Sequence, residues 1–149
     1  MIMDSQTILA MWAAVQDRFS HMVKALDDEQ LQLAIGPATI GYMIRHSAEV
    51  EYVYAQWVFG KPKPEGIEYM TLRGPGQYNG ELDQLQPLIA LLQHSNETIS
   101  RAIHDLPAEQ WNEEVHTPRG TFTRLDAIAQ LIYHTGIHAG QIALIQKQS

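Results

Sequence analysis

The sequence predicts an all-α protein built from four long helices. Apolar residues recur at helical spacing in four segments, and few runs alternate apolar and polar residues for long enough to make a strand. The first helix is read over residues 5–26, where Ile8, Trp12, Val15, Phe19, Met22 and Leu26 form one stripe and Asp17, Arg18 and Lys24 fall off it. The second follows Pro37, with Thr39 as its N-cap, and stops at Gly60 ahead of Pro62 and Pro64. Its apolar line is Met43, Val50, Val53 or Tyr54, and Trp57, and His46 falls within it. The third is read over residues 82–104, closed by Pro107, with an N-cap near Asp83 so that Pro87 lies in the first turn and removes no hydrogen bond. The fourth opens at Thr123, has Asp126 three residues on as a capping box, and runs to about Lys147.

Two connections stand out. Residues 61–80 are rich in Pro and Gly, and a stretch of that length reads as a lid, a binding loop or a crossover between the ends of a bundle. Residues 113–122 form a shorter linker with the turn signal Thr117-Pro118-Arg119-Gly120. A short internal echo relates Leu26-Asp27-Asp28-Glu29-Gln30-Leu31 to Leu106-Pro107-Ala108-Glu109-Gln110-Trp111. Each copy precedes a linker, a Thr-capped helix and a histidine, so two related helical hairpins would bring the second and fourth helices together.

The 149 residues suit one domain, 1–149, large enough to bury its own core. A formal charge of −7 with no basic stripe argues against a nucleic-acid-coating protein. With no cysteine there is no disulfide and no thiolate ligand, which fits a reducing cytoplasm, and any metal must be held by nitrogen and oxygen. Asp4 stands where a signal peptide would be positive. Residues 127–146 lack Asp, Glu, Lys and Arg over 20 positions, long enough to span a bilayer. Gln130, His134, His138, Gln141 and Gln146 would each be costly in hydrocarbon, so a helix at the centre of a bundle explains the stretch better.

The candidate chemistry lies in that stretch, in His134-Thr135-Gly136-Ile137-His138-Ala139-Gly140-Gln141-Ile142. Side chains at i and i+4 share a helix face, and two imidazoles so placed can reach one cation. Seven histidines in 149 residues give about 0.3 accidental pairs at that spacing, so the setting has to decide. Both histidines lie in a helix that reads as buried, and His46 lies on the apolar line of another. Buried imidazoles need partners at both nitrogens, which a metal and an outer acceptor supply. His46, His134 and His138 are therefore the candidate metal ligands. His21, His94, His104 and His116 read as solvated surface. Glu49 and Tyr42 flank His46 at helical spacing, but a solvated face explains Glu49 better, with Glu51 and Arg45 nearby. Gln130 is a candidate outer contact for His134, and capping accounts for Asp126. Gly136 and Gly140 would let another backbone pack closely beside the site. Trp12, Trp57 and Tyr54 read as core. Thr135 stands where a His-Glu-x-x-His protease carries its base, so that route to peptide hydrolysis is disfavoured. No phosphate loop, Gly-x-Ser-x-Gly elbow or dinucleotide fingerprint occurs, and no residue is assigned as general acid or base.

The block His134-x-x-x-His138-Ala139-Gly140-Gln141-Ile142, with Thr39-Ile40-Gly41-Tyr42-Met43-Ile44-Arg45-His46 upstream, resembles the DinB/YfiT-like superfamily over nearly the whole chain. Many members carry Arg after the last histidine and His before it, where this chain has Ala139 and Ile137. The resemblance implies a four-helix bundle in up-down-down-up order, a long crossover loop between helices two and three, and a homodimer. It also implies a divalent ion, zinc or nickel among others, on three histidines that correspond to His46, His134 and His138. Relatives include thiol-dependent S-transferases and a mycothiol-dependent maleylpyruvate isomerase, and others are described as hydrolases. The expected function is a metal-dependent enzyme of small-molecule metabolism or detoxification, with a low-molecular-weight thiol as cosubstrate and no nucleic-acid or membrane partner. Hydrolase or isomerase chemistry, or a bundle that binds a ligand without catalysis, are the alternatives.

Overall fold

A computed structural model describes residues 4–76 and 82–149. Four helices dominate it: α1 (Ser5–Lys24), α2 (Ile40–Phe59), α3 (Leu85–Asp105) and α4 (Arg124–Lys147). Two antiparallel hairpins lie between them, β1 (Ala34–Ile35) with β2 (Ala38–Thr39), and β3 (Glu114–Thr117) with β4 (Gly120–Thr123). The sequence reading placed no strands. Strands of two and four residues are too short to show an alternating pattern, and only the second hairpin carries a turn signal named above, Thr117-Pro118-Arg119-Gly120.

The helix boundaries follow local chemistry. Thr39 caps α2 by accepting from the Tyr42 amide, and Gly60 ends it in the left-handed conformation at φ +67°. Thr123 and Asp126 form a reciprocal capping box on α4. The N-cap of α3 is Gln84, one residue after Asp83, and Gln84 makes no side-chain capping bond. The Leu85 amide instead donates to Asp28 Oδ1 at 2.8 Å, so the cap comes from across the fold. Residues 60–76 hold no helix or strand, and the end of the long connection, residues 77–80, lies outside the described residues.

The element order repeats. A helix, a short 3-10 turn (Glu29–Gln32 or Ala108–Gln110), a hairpin and a Thr-capped helix occur twice, in register with the internal echo. The last apolar residues of the echo, Leu31 and Trp111, are both fully buried. In α4 the buried positions Ile128, Leu131, Thr135, His138, Ile142 and Ile145 step by three and four, which puts His138 on the core stripe. In α1 the buried stripe is Ile8, Trp12, Gln16, Phe19 and Val23, so Gln16 takes the inward place expected of Val15.

Helix α2 packs against α3 and α4, and α1 packs against the same two. A polar seam joins all four. Gln16 Nε2 donates to Thr135 Oγ1 at 3.0 Å, and Ser95 Oγ donates to Glu51 Oε1 at 2.9 Å. In the amide orientation that satisfies its neighbours, Asn96 donates to Gln16 Oε1 at 3.2 Å and to Glu51 Oε1 at 2.6 Å. Glu51 is buried with neutral donors only, and burial pushes its carboxyl well above the usual range despite the Ser95 hydrogen bond.

At Gly41 the Leu82 backbone approaches α2 closely. A Cβ there would lie 2.1 Å from the Leu82 carbonyl oxygen and 3.1 Å from Leu82 Cβ. Gly41→Ala is expected to destabilise the fold by about 2 kcal/mol, because backbone must move to admit one methyl. Thermal melting should show a loss of about 5 °C; an unchanged melting temperature would mean that this approach is not tight. Gly136 and Gly140 differ from expectation. They are exposed on α4, and a Cβ at either meets nothing within 4 Å, so neither serves close packing within the chain.

Candidate metal centre

The first half of α2 and the centre of α4 bring three imidazoles together. One ring nitrogen from each of His46, His134 and His138 lies within 4.8 Å of the other two. His134 and His138 approach at 3.1 Å between their Nε2 atoms. The ring centroids of His46 lie 5.1 Å from His134 and 5.7 Å from His138. The three rings cross edge to face, so their nitrogens converge on one space instead of stacking.

Neighbouring groups set the tautomers. Thr71 Oγ1 donates to Glu49 Oε1 at 2.8 Å, so its one proton is used. At 3.1 Å from His46 Nδ1 that oxygen can only accept, which leaves the His46 proton on Nδ1 and a lone pair on Nε2. His138 Nδ1 likewise faces Gln141 Oε1 at 2.9 Å and donates to it, freeing Nε2. Burial is the main cause that lowers all three pKa values, to about 4 for His46 and about 3 for His134, with the His138 charge adding to both. All three rings are therefore neutral at physiological pH. A proton on His134 Nε2 could serve His138, but His46 Nε2 would still face the same space without a partner among the described residues. Converging lone pairs on neutral nitrogens suit a divalent cation of borderline softness, and the three residues could hold one.

Behind His46 stands a carboxylate that the sequence reading took for solvated surface. Glu49 is 0% exposed. It accepts from the amides of Met70 and Thr71, both at 2.9 Å, from the Thr71 hydroxyl, and from Arg45 Nε at 2.6 Å. The loop that buries it enters from 21 residues away, and no spacing along α2 could reveal that contact. Arg45 also donates to the Glu68 carbonyl at 2.7 Å, which ties the loop to the helix again. Tyr42 stacks on His46 with centroids 5.3 Å apart and donates to the Thr71 carbonyl. The orienting chain therefore runs Arg45, Glu49, Thr71, His46. Thr71→Val keeps the shape and removes the hydroxyl, and is expected to weaken metal affinity about 10–100-fold. Competition with a chromophoric chelator measures it, and equal affinity would show that Thr71 does not hold the ring.

A cavity of about 270 Å³ opens beside the cluster, with His46, His134, Tyr54, Gln130, Arg119 and Ile137 in its wall. The Tyr54 hydroxyl donates to Gln130 Oε1, and Gln130 lines the cavity together with His134. Asp126 serves the α4 cap, as read. Trp12 and Tyr54 are buried, Trp57 is half-buried, and His21, His94, His104 and His116 are exposed.

Fold and site define a helical protein with a three-histidine cluster beside a small cavity. The chain belongs to the DinB superfamily, which it matches over residues 11–142. No curated protein matches it in sequence. Its fold is similar to the crystal structure of a DinB-like protein from Bacillus cereus ATCC 10987, with TM-score 0.71 and 17% identity over 96% of this chain and 91% of that one. It is also similar to a mycothiol-dependent maleylpyruvate isomerase, with TM-score 0.67 and 18% identity over 94% of this chain and 61% of the isomerase.

Proposed function

We propose that this protein is a divalent-metal-dependent enzyme of small-molecule metabolism or detoxification that uses a low-molecular-weight thiol, with His46, His134 and His138 as metal ligands. The observation that carries the reading is the convergence of three neutral imidazoles, two of which, His46 and His134, line a cavity. Three protein ligands leave at least one position for another molecule, the arrangement of catalytic zinc sites, and four-ligand structural sites lack it. A bound zinc or nickel ion would supply Lewis acidity, lowering the pKa of a thiol or water that binds it.

The chain's own groups divide the remaining work. Thr71 and Gln141 orient His46 and His138, and Glu49 holds Thr71 in turn. Val50, Leu131 and Ile137 give the cavity an apolar wall that limits water. The chain has no cysteine, so a sulfur nucleophile must come from a cosubstrate. Similarity in fold to a mycothiol-dependent isomerase supports the thiol and favours isomerisation as the second reading. The same reading carries the up-down-down-up helix order, a homodimer and a cytoplasmic setting, and agrees with the fact that no helix among the described residues is long and apolar enough to cross a membrane.

The test is metal analysis of protein purified without a histidine tag, followed by a screen of thiols against electrophiles. About one equivalent of metal and thiol-dependent consumption of an electrophile are expected. A protein that holds no metal and melts identically with and without chelator would be a binding bundle instead.

A further inference from the structure

We propose that Arg119 is a substrate-binding residue that selects small molecules carrying an anionic oxygen group, a carboxylate or a phosphonate, at the end opposite the atoms that reach the histidines. The inference rests on the metal reading above and adds the substrate class.

Arg119 is fixed at the tip of the β3–β4 hairpin. The strands pair from Glu114↔Thr123 to Thr117↔Gly120, which leaves Pro118 and Arg119 as a two-residue turn. Thr117 Oγ1 accepts from the Arg119 amide at 3.1 Å and donates to the Gly120 carbonyl at 2.8 Å, pinning the turn from inside. Gly120 completes it at φ +124°, a conformation that favours glycine. The hairpin is anchored to α2 by Phe122, which stacks on Tyr54 with centroids 6.1 Å apart and planes 17° from parallel. Tyr54 is itself in the cavity wall.

This placement puts Arg119, an exposed residue, in the wall of the same cavity as His46 and His134, and of an adjoining one of about 200 Å³ lined by Val53, Trp57 and Leu72. Arg45, Arg101 and Arg124 each pair with a carboxylate, whereas Arg119, like Arg18 and Arg73, pairs with none among the described residues, and of these three only Arg119 lines the cavity beside the histidines. In a chain of net charge −7, an unpaired cation over an apolar cavity is a specific feature. Its charge also contributes, after burial and the neighbouring rings, to holding His46 and His134 neutral. Gln130 supplies a second donor: its oxygen is taken by the Tyr54 hydroxyl, and its amide nitrogen has no acceptor among the described residues. A guanidinium with a nearby amide donor suits a planar oxyanion, which Arg binds through two parallel hydrogen bonds. The apolar wall between Arg119 and the histidines suits a short hydrocarbon spacer.

The test uses cobalt(II)-loaded full-length protein, wild type and Arg119→Gln, titrated with acetate, succinate and 3-phosphonopropionate while the visible cobalt spectrum is followed. Arg119→Gln is expected to bind cobalt at the same stoichiometry and to change acetate affinity less than twofold. It should bind succinate or 3-phosphonopropionate about tenfold more weakly. The ligand that loses more identifies the preferred oxyanion, and Arg119→Lys should recover part of the loss. Succinate and 3-phosphonopropionate affinities that are equal in wild type and Arg119→Gln, with one cobalt in each, would overturn this inference alone. A wild-type protein that binds no cobalt would overturn the metal reading and this inference with it.

Discussion

His138→Ala is expected to take bound divalent metal from about one equivalent to none. His138 is the most enclosed of the three imidazoles, 9% exposed and on the core stripe of α4. Its Nε2 lies 3.1 Å from His134 Nε2, and Gln141 fixes its proton on Nδ1. Without it, one nitrogen from α2 and one from α4 would face a hole where the third ligand stood. A ligand that binds only the folded state adds about 4 kcal/mol to its stability at a thousandfold excess over Kd. Melting of the wild-type protein should therefore fall on adding chelator, whereas His138→Ala should melt at one temperature with or without it. His21→Ala, at an exposed site on α1, is the control and should retain the metal. Elemental analysis with far-UV circular dichroism separates ligand loss from unfolding. A folded His138→Ala protein that keeps stoichiometric metal would refute the ligand assignment.

Glu51→Gln is expected to stabilise the protein increasingly as pH rises. The Glu51 carboxyl has no cationic partner within hydrogen-bonding reach among the described residues, and burial raises its pKa well above the reference value of 4.5. The folded chain therefore keeps a proton at this site over a pH range in which the unfolded chain has released it. With more protons bound when folded, stability falls as pH rises, by about 1.4 kcal/mol per unit, for as long as Glu51 stays protonated. Below the unfolded pKa this dependence vanishes. Gln keeps an acceptor for Ser95 and Asn96 and carries no titrating proton, so the variant lacks this slope. As pH rises above the unfolded pKa its advantage should widen, read as a growing gap in melting temperature between the two proteins from pH 5 to pH 7. The depressed histidines act with the opposite sign, but in both proteins alike, so the difference isolates Glu51. Parallel stability curves across that range would mean that Glu51 is ionised in the core. Glu51→Ala leaves Ser95 and Asn96 without their acceptor and should be destabilising at every pH.

The parts of this molecule legible in the sequence are those encoded locally. Thr39, Gly60, Thr123 and Asp126 act within five residues of themselves, and each does what its identity suggests. The pair His134 and His138 is local as well, and the internal echo carried enough topology to bring His46 toward it. Glu49 was misread because its surroundings come from residues 70 and 71, across a loop that carries no periodicity. Thr71 was missed for the same reason, since nothing in its own neighbourhood points to a histidine 25 residues earlier. Arg119 was visible only as part of a turn signal, because its placement over the cavity depends on Phe122 meeting Tyr54. Gly136 and Gly140 were read as a packing motif because spacing alone does not distinguish an inward helix face from an outward one.

The most direct measurement is X-ray absorption at the metal edge of protein loaded with zinc and purified without a tag. Three imidazole nitrogens at about 2.0–2.1 Å, with the remaining position filled by solvent or added thiol, is the predicted shell. A spectrum showing only oxygen neighbours, or fewer than three imidazoles per ion, would contradict the shared site on which the enzymatic proposal depends.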